Sequence, residues 1–263
     1  MQPKLAIVGA GVMGSAILDT IITRKIFPAN TILVIDLDQK KLTRLKKLKV
    51  QISTNPADAA DAKIILLAIK PQQLSTACKN WTTNALVISI LAGTKITSLK
   101  KITGSVKIAR AMPNTPAQIS AGITGWLATK KVSITEKKLV QKILTGLGTE
   151  IELNNEKQLD TVTAISGSGP AYFFAFAEAL EIAAKKLGLG RNAYKFVAET
   201  FFGAAQLAKT SEKKFSELRK NVTSKGGTTA AALEIFEKEK FVKIIEKAAQ
   251  AAKKKSEKLS KGE

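Results

Sequence analysis

The sequence predicts an α/β N-terminal domain on a mostly parallel sheet over residues 1–155, followed by an all-α C-terminal domain over residues 156–263. Three observations predict it. Short apolar runs alternate with helical patterns as far as Asn154, which is the signature of parallel strands joined by crossover helices. A glycine fingerprint follows the first apolar run and opens the first helix. Beyond Asn154 the periodicity is helical to the end, with almost no strand signal.

Taken in order, the first strand is Lys4–Val8 and its helix Val12–Arg24; the second strand is Thr31–Asp36 and its helix Gln39–Leu48. A third strand, Lys63–Ile69, leads into a helix over Pro71–Lys79. Strands then fit at Ala85–Leu91, Val106–Ala111 and Ile123–Ala128, with a helix at Glu136–Leu147 and a last strand near Glu150–Leu153. Runs this apolar, without alternation, are read as strands buried on both faces. The helical domain reads as Gly169–Leu187, Arg191–Thr210, Phe215–Asn221, Gly227–Glu237 and Phe241–Lys258, with Gly188-Leu189-Gly190 as a C-terminal stop after its first helix. Ala171-Tyr172-Phe173-Phe174-Ala175-Phe176-Ala177 is apolar nearly all round, so that helix is expected to be buried, partly against a second copy of the chain. The helical domain is therefore the expected dimerisation domain.

Composition narrows the class. Apolar residues at 45% and charged residues at 24% are close to ordinary globular usage. No apolar run reaches the roughly 18 residues of a membrane span, so the expectation is a cytoplasmic protein with no membrane partner. Cys78 is the sole cysteine and histidine is absent, which argues against a disulfide and against a metal site. The net charge of +21 raises a nucleic-acid partner, but the lysines are interspersed with glutamates, as from Glu234 to Lys247, and only Lys253 to Lys261 is a run. Aromatics, at 5%, do not interleave with the bases to make a stacking platform. A solvated lysine-rich surface that attracts anionic cofactors is the better reading, with no nucleic acid.

Gly9-Ala10-Gly11-Val12-Met13-Gly14 stands between a strand and a helix, the context that a dinucleotide fingerprint needs. Gly9 permits the tight turn, Gly11 lets a pyrophosphate approach the backbone, and Gly14 lets helix and strand pack closely. The helix N-terminus then offers free N–H groups and a positive dipole end to phosphate. This makes the N-terminal domain Rossmann-like and a nicotinamide dinucleotide its expected cofactor. Asp36 ends the second strand where a carboxylate accepts from the adenosine ribose hydroxyls, which favours NADH. Lys40, Lys41 and Arg44 lie near enough in sequence to accommodate NADPH, and Asp36 or Asp38 also suits a helix cap.

Ala68-Ile69-Lys70-Pro71, Ser89-Ile90-Leu91-Ala92-Gly93 and Arg110-Ala111-Met112-Pro113-Asn114-Thr115-Pro116 follow the ends of strands. In open α/β sheets ligands bind beyond the carboxyl ends of strands, so these loops, together with two helix-opening loops of the helical domain, are expected to converge on the nicotinamide. In the helical domain, Ser166-Gly167-Ser168-Gly169-Pro170-Ala171-Tyr172 opens one helix and Val222-Thr223-Ser224-Lys225-Gly226-Gly227-Thr228-Thr229 another. The second loop combines hydroxyls, glycines and unpaired helix N-terminal N–H groups, a receptor for a small carboxylate. Plain N-capping by Ser or Thr is the simpler alternative.

The order of GAGVMG (9–14), AIKP (68–71), MPNTPA (112–117), DTVTAISGSGPAY (160–172) and VTSKGGTTAAAL (222–233) resembles the pyrroline-5-carboxylate reductase family over essentially the whole chain. The resemblance implies reduction of the C=N bond of 1-pyrroline-5-carboxylate to L-proline with NADPH or NADH, and assembly into dimers and often pentamers of dimers. It implies that Ser224, Gly226, Gly227 and Thr228 hold the substrate carboxylate and that Thr229 hydrogen-bonds the ring nitrogen. It also implies that Asn55 contacts the cofactor ribose and that Ala68, Lys70, Ala92, Met112, Asn114 and Thr115 line the cofactor, beside Gly9, Ala10, Gly11, Val12, Met13, Gly14 and Asp36. Glu212 matches an acidic position close to the active site. One departure stands out: the family usually has proline where this chain has Lys225, which frees the loop backbone and adds an N–H and a charge.

A β-hydroxyacid dehydrogenase or another imine reductase also joins such a domain to helices. The hydroxyacid enzymes need a general base, commonly a lysine on the helix that opens the second domain. Here that helix has no lysine from Gly169 to Ala184. A cyclic imine that is protonated needs no histidine, since it is already electrophilic. A nucleotide-binding or pyridoxal-phosphate-binding protein without the chemistry is the non-enzymatic alternative, and an intact Ser224–Thr229 loop speaks against it.

Overall fold

The computed structural model describes residues 2–79 and 81–260; Lys261, the end of the basic run, lies outside them. Contacts divide the chain into two compact units, one holding the chain up to Ser168 and again from Ala252 on, the other Gly169–Ala251.

In the first unit the strands are β1 (Leu5–Val8), β2 (Ile32–Ile35), β3 (Gln51–Ser53), β4 (Ile64–Leu67), β5 (Leu86–Ser89), β6 (Ile108–Met112), β7 (Gly122–Ala128) and β8 (Gly148–Glu152). They form one sheet in the order β3-β2-β1-β4-β5-β6-β7-β8. All neighbours are parallel except β6 and β7, which are antiparallel. The expected α/β architecture with a mostly parallel sheet is the one found, and the order reverses between β1 and β4, where doubly wound folds place their ligand crevice.

The sheet is buried as its unbroken apolar runs require. In β1, Leu5 and Ile7 join one apolar cluster with Val34, Leu66 and Ile88, while Ala6 and Val8 join the other with Leu33, Ile35, Leu67 and Val87. Successive residues point to opposite faces, so β1, β2, β4 and β5 are buried through and through. Each fully buried Leu or Ile contributes about 1.5–3 kcal/mol relative to exposure. The outermost strands escape that rule: β3 is half-buried and β8 alternates toward solvent, because each has a neighbour on one side only.

The helices α1 (Val12–Thr23), α2 (Gln39–Leu45), α3 (Leu74–Ala77), α4 (Ile96–Thr103) and α5 (Ile134–Thr145) lie between the strands, and α6 (Gln158–Val162) follows the last of them. Several run shorter than their sequence patterns. The second gives way to a 3₁₀ turn at Lys46–Leu48, ended by Lys49 with φ 58°. The expected helix from Pro71 starts as a 3₁₀ turn over Pro71–Gln73 and is α-helical only at Leu74–Ala77. Strand β3 and helices α4 and α6 have no counterpart in the sequence reading.

The second unit holds α7 (Gly169–Ala184), α8 (Ala193–Thr210), α9 (Phe215–Asn221), α10 (Thr228–Lys238) and the first part of α11 (Phe241–Leu259). Gly188, at φ 99°, breaks the chain out of helix after α7, in the position read as a stop. Helices α7 and α8 pack through Ala184, Ala193 and Val197, and Phe173 meets Phe201 with ring centroids 6.0 Å apart. The single chain does not supply the cover that the apolar pattern of α7 calls for. Within one chain only Gly169 and Ala184 of that helix are buried, while Phe173 and Phe174 are 60% and 63% exposed. An apolar helix needs cover, and one chain leaves most of this one exposed.

Among the described residues no helix is long and apolar enough to cross a membrane, and no group of His, Cys, Asp and Glu is placed to hold a metal ion.

Candidate active site

At the carboxyl end of β1 the chain turns through Gly9, with φ 107°, and its N–H donates to the Ile35 carbonyl at 2.7 Å. A Cβ on Gly9 would stand 2.6 Å from the Ala68 carbonyl oxygen, and one on Gly14 2.0 Å from the Gly9 oxygen. Both glycines are therefore required by close packing. Gly11 differs: nothing lies within 4 Å of where its Cβ would be. It is the N-cap of α1, no side chain caps that helix, and its first turn has no acidic residue. Open space, unclaimed N–H groups and a positive helix end together fit a phosphate.

Asp36 is bound into this loop. Its Oδ2 accepts the Ala10 N–H at 2.8 Å, its Oδ1 accepts the Asp38 N–H at 2.9 Å, and Lys41 Nζ lies 3.5 Å away. Asp38, in turn, caps α2 by accepting the Lys40 N–H. The two aspartates thus divide the work: Asp38 holds the helix, and Asp36 holds the glycine loop against β2.

Beyond the same ends of the strands lies a cavity of about 270 Å³, lined by Met13, Ala68, Ile69, Ile90, Met112, Pro113, Asn114, Thr115 and Gly167. Of the residues expected to line a cofactor, the structure brings Met13, Ala68, Met112, Asn114 and Thr115 together here. Asn114 is fixed by accepting the Ile123 N–H at 2.9 Å, and Ser120, at φ 56°, closes the 3₁₀ turn behind it. Gly167, not singled out as a cofactor contact but part of the Ser166–Tyr172 segment, joins this lining. It ends a π-helical turn, Thr163–Gly167, and nothing in sequence spacing announces such a turn, although π turns are frequent at functional sites.

Lys70, Ala92 and Asn55 lie outside that lining. Lys70 is exposed and its N–H donates to Gln73 Oε1. Ala92 is half-buried in the loop after β5. The Asn55 side chain accepts the Ala57 N–H at 3.2 Å and donates to Asp58 at 3.0 Å, at the outer edge of the sheet. Val12 is 63% exposed, and Ala10 is buried.

In the helical unit, Gly226 takes φ 71° and Gly227 is the N-cap of α10, with no side-chain cap. The simpler reading, capping by Ser or Thr, does not hold at this helix. Thr223 donates instead to the Arg219 carbonyl at 2.6 Å. A Cβ on Gly227 would stand 2.4 Å from Ser224 Oγ, so the glycine makes room for that hydroxyl at the helix end. Ser224, Lys225, Gly226 and Thr228 are exposed and Thr229 half-buried. Glu212 lies exposed between α8 and α9.

Residues 156–259 match the family model described as pyrroline-5-carboxylate reductase dimerisation, and residues 4–93 match the one described as NADP oxidoreductase, coenzyme F420-dependent. The chain is 38% identical over 268 residues to a pyrroline-5-carboxylate reductase of Haemophilus influenzae, covering 98% of each chain. Among solved structures it is similar to a pyrroline-5-carboxylate reductase from Coxiella burnetii, with TM-score 0.87, 33% identity and 99% of both chains covered. The pyrroline carboxylate reductase of Plasmodium falciparum with NADP bound matches with TM-score 0.87, 32% identity and 99% of both chains covered.

Proposed function

The chain belongs to the pyrroline-5-carboxylate reductase family, and from that membership we propose that it reduces the C=N bond of 1-pyrroline-5-carboxylate to L-proline, the last step of proline biosynthesis, with NADPH or NADH. The observation that carries the assignment beyond a generic reductase is the Ser224–Thr229 loop. It presents a helix N-terminus that its own side chains leave uncapped, which suits a substrate carboxylate.

The glycine loop fits the cofactor. Gly11 and the first turn of α1 receive the pyrophosphate. Asp36 presents the loop through Ala10 and offers its remaining lone pairs to the ribose, with Asn55 as a further ribose contact. Ala68, Lys70, Ala92, Met112, Asn114 and Thr115 complete the dinucleotide site together with Val12 and Met13. When bound, the reduced nicotinamide supplies the hydride. Ser224, Gly226, Gly227 and Thr228 hold the carboxylate, with Glu212 nearby, and Thr229 hydrogen-bonds the ring nitrogen, keeping the imine oriented. Orientation and preorganised donors supply most of the acceleration, so no histidine is needed. Lys225 adds a cation to a loop that receives an anion.

The chain self-associates through its helical unit in this reading, as a dimer and in larger assemblies up to a decamer. Support comes from the match to a dimerisation model and from the exposed Phe173, Phe174, Phe196 and Phe202. The test is direct: purified protein with NADPH or NADH is given racemic pyrroline-5-carboxylate, and cofactor absorbance is followed. Loss of absorbance with at least one cofactor is expected; no change with either would refute the assignment.

A further inference from the structure

The loop after β5 is held from two sides by one short stretch of chain. At its far end the Ile96 N–H, the first of α4, donates to Glu156 Oε1 at 2.7 Å. The same oxygen accepts Arg110 Nη1 at 2.6 Å, and the Arg110 side chain, rising from β6, is only 7% exposed. Four residues on, Asp160 Oδ1 accepts the Ser256 hydroxyl at 2.7 Å and the Ser260 hydroxyl at 3.4 Å. Ser256 is the buried residue of α11. This brings the end of α11 onto the turn of the loop: a Cβ on Gly93, whose φ is 67°, would stand 2.7 Å from Leu259 Cβ and 3.3 Å from the Ser260 nitrogen. All these residues belong to one compact unit.

We propose that the C-terminal end of α11 is a clasp on the loop after β5, with Asp160 as its positioning residue, and that closing it fixes Ala92 and Gly93 in the conformation that receives the dinucleotide. Glycine is needed at position 93 both for its positive φ and because the tail occupies the space a side chain would take. Glu156 fixes the loop's exit whether or not the tail is in place, so the tail governs the turn alone. Loops held by few contacts open locally at small cost, and a loop displaced by about 1 Å is enough to degrade a site. The clasp therefore acts on cofactor affinity and leaves the substrate loop untouched. This rests on the assignment of Ala92 to the cofactor site.

The test compares Asp160→Leu with Asp160→Asn in the full chain, since asparagine still accepts from Ser256 and leucine cannot. Amide hydrogen exchange of the peptide covering residues 91–96 and the KM for NADPH are read together. In Asp160→Leu, exchange is expected to quicken about tenfold and the NADPH KM to rise about fivefold, with kcat and the substrate KM within about twofold of wild type. Asp160→Asn stays close to wild type in both readouts. Ser256→Ala, which breaks the same bond from the tail side, moves both in the same direction and guards against misfolding of the leucine variant. Quicker exchange in 253–260 with none in 91–96 overturns the clasp and leaves the cofactor assignment standing. Quicker exchange in 91–96 with an unchanged NADPH KM overturns the assignment of this loop to the cofactor, and the proposal with it.

Discussion

Thr229 is the side chain that the proposed chemistry asks most of, since the proposal sets its hydroxyl against the ring nitrogen of the imine. Removing a donor that acts on developing charge costs about 10²–10³ in kcat in well-studied cases. Thr229→Ala is accordingly expected to lower kcat by roughly 10², with the cofactor dissociation constant, measured by fluorescence quenching, unchanged. A variant that keeps wild-type kcat removes Thr229 from the reaction. At this scale the sequence spoke unevenly. Gly9, Gly11 and Gly14 were legible from their spacing between a strand and a helix, and the near contacts at Ala68 and Gly9 bear out the steric demands on Gly9 and Gly14, while Gly11 faces open space. Asp36 was legible as a carboxylate at the end of the second strand. Its bond to Ala10 was not, because the partner lies across a turn whose path sets the distance. Cys78 was expected to take part in no disulfide, and burial pushes its thiol up to about 12, so it stays protonated and inert at neutral pH.

The elements show where local patterning suffices. Strands β1, β2, β4 and β5 were readable because burial on both faces demands unbroken apolar runs. Strand β3 is three residues with glutamine and serine among them, too short and polar to stand out. Helix α4 begins and ends with β-branched Ile96 and Thr103, which read as strand or loop. Helix α5 has the clearest local signal, a capping box in which Ser133 accepts the Glu136 N–H and Glu136 accepts the Ser133 N–H. Burial raises the Glu136 carboxyl, but the Lys107 ammonium at 2.8 Å and the two Ser133 hydrogen bonds outweigh it, so the net position is below the ordinary carboxylate value. A depressed folded value means the ionised form stabilises the fold above the unfolded carboxylate pKa, and that the contribution is lost as pH falls through the folded one. Glu136→Gln is expected to cost about 1 kcal/mol or less at pH 7, given the pair's partial exposure. Urea unfolding at falling pH is expected to show the gap closing in the acid range; a gap that stays constant would deny the charge its role.

For the molecule as a whole, the helical unit is the part that one chain leaves unfinished. The sequence signalled α7 as a buried helix because it is apolar on every face, and the single chain leaves it exposed. A hydrophobic pattern states that a surface is to be covered without stating by what. Burying aromatic side chains at about 25 cal/mol per Å² makes a second copy the natural cover. Sedimentation equilibrium is expected to give a dimer or a multiple of it, and Phe173→Glu with Phe202→Glu to shift the mass toward the monomer. A wild-type monomer would contradict the assembly. The charge of +21 bears on the same scale: it favours the approach of anionic dinucleotide and carboxylate through long-range attraction that salt screens.

The claim that ties these scales together is hydride transfer to the carbon of a cyclic imine. Incubation with a reduced nicotinamide deuterated at the transferring position, followed by mass spectrometry and NMR of the product, tests it most directly. The predicted result is L-proline carrying one deuterium on the ring carbon next to nitrogen and remote from the carboxylate. Proline without deuterium there, or cofactor oxidised with no proline formed, would contradict it.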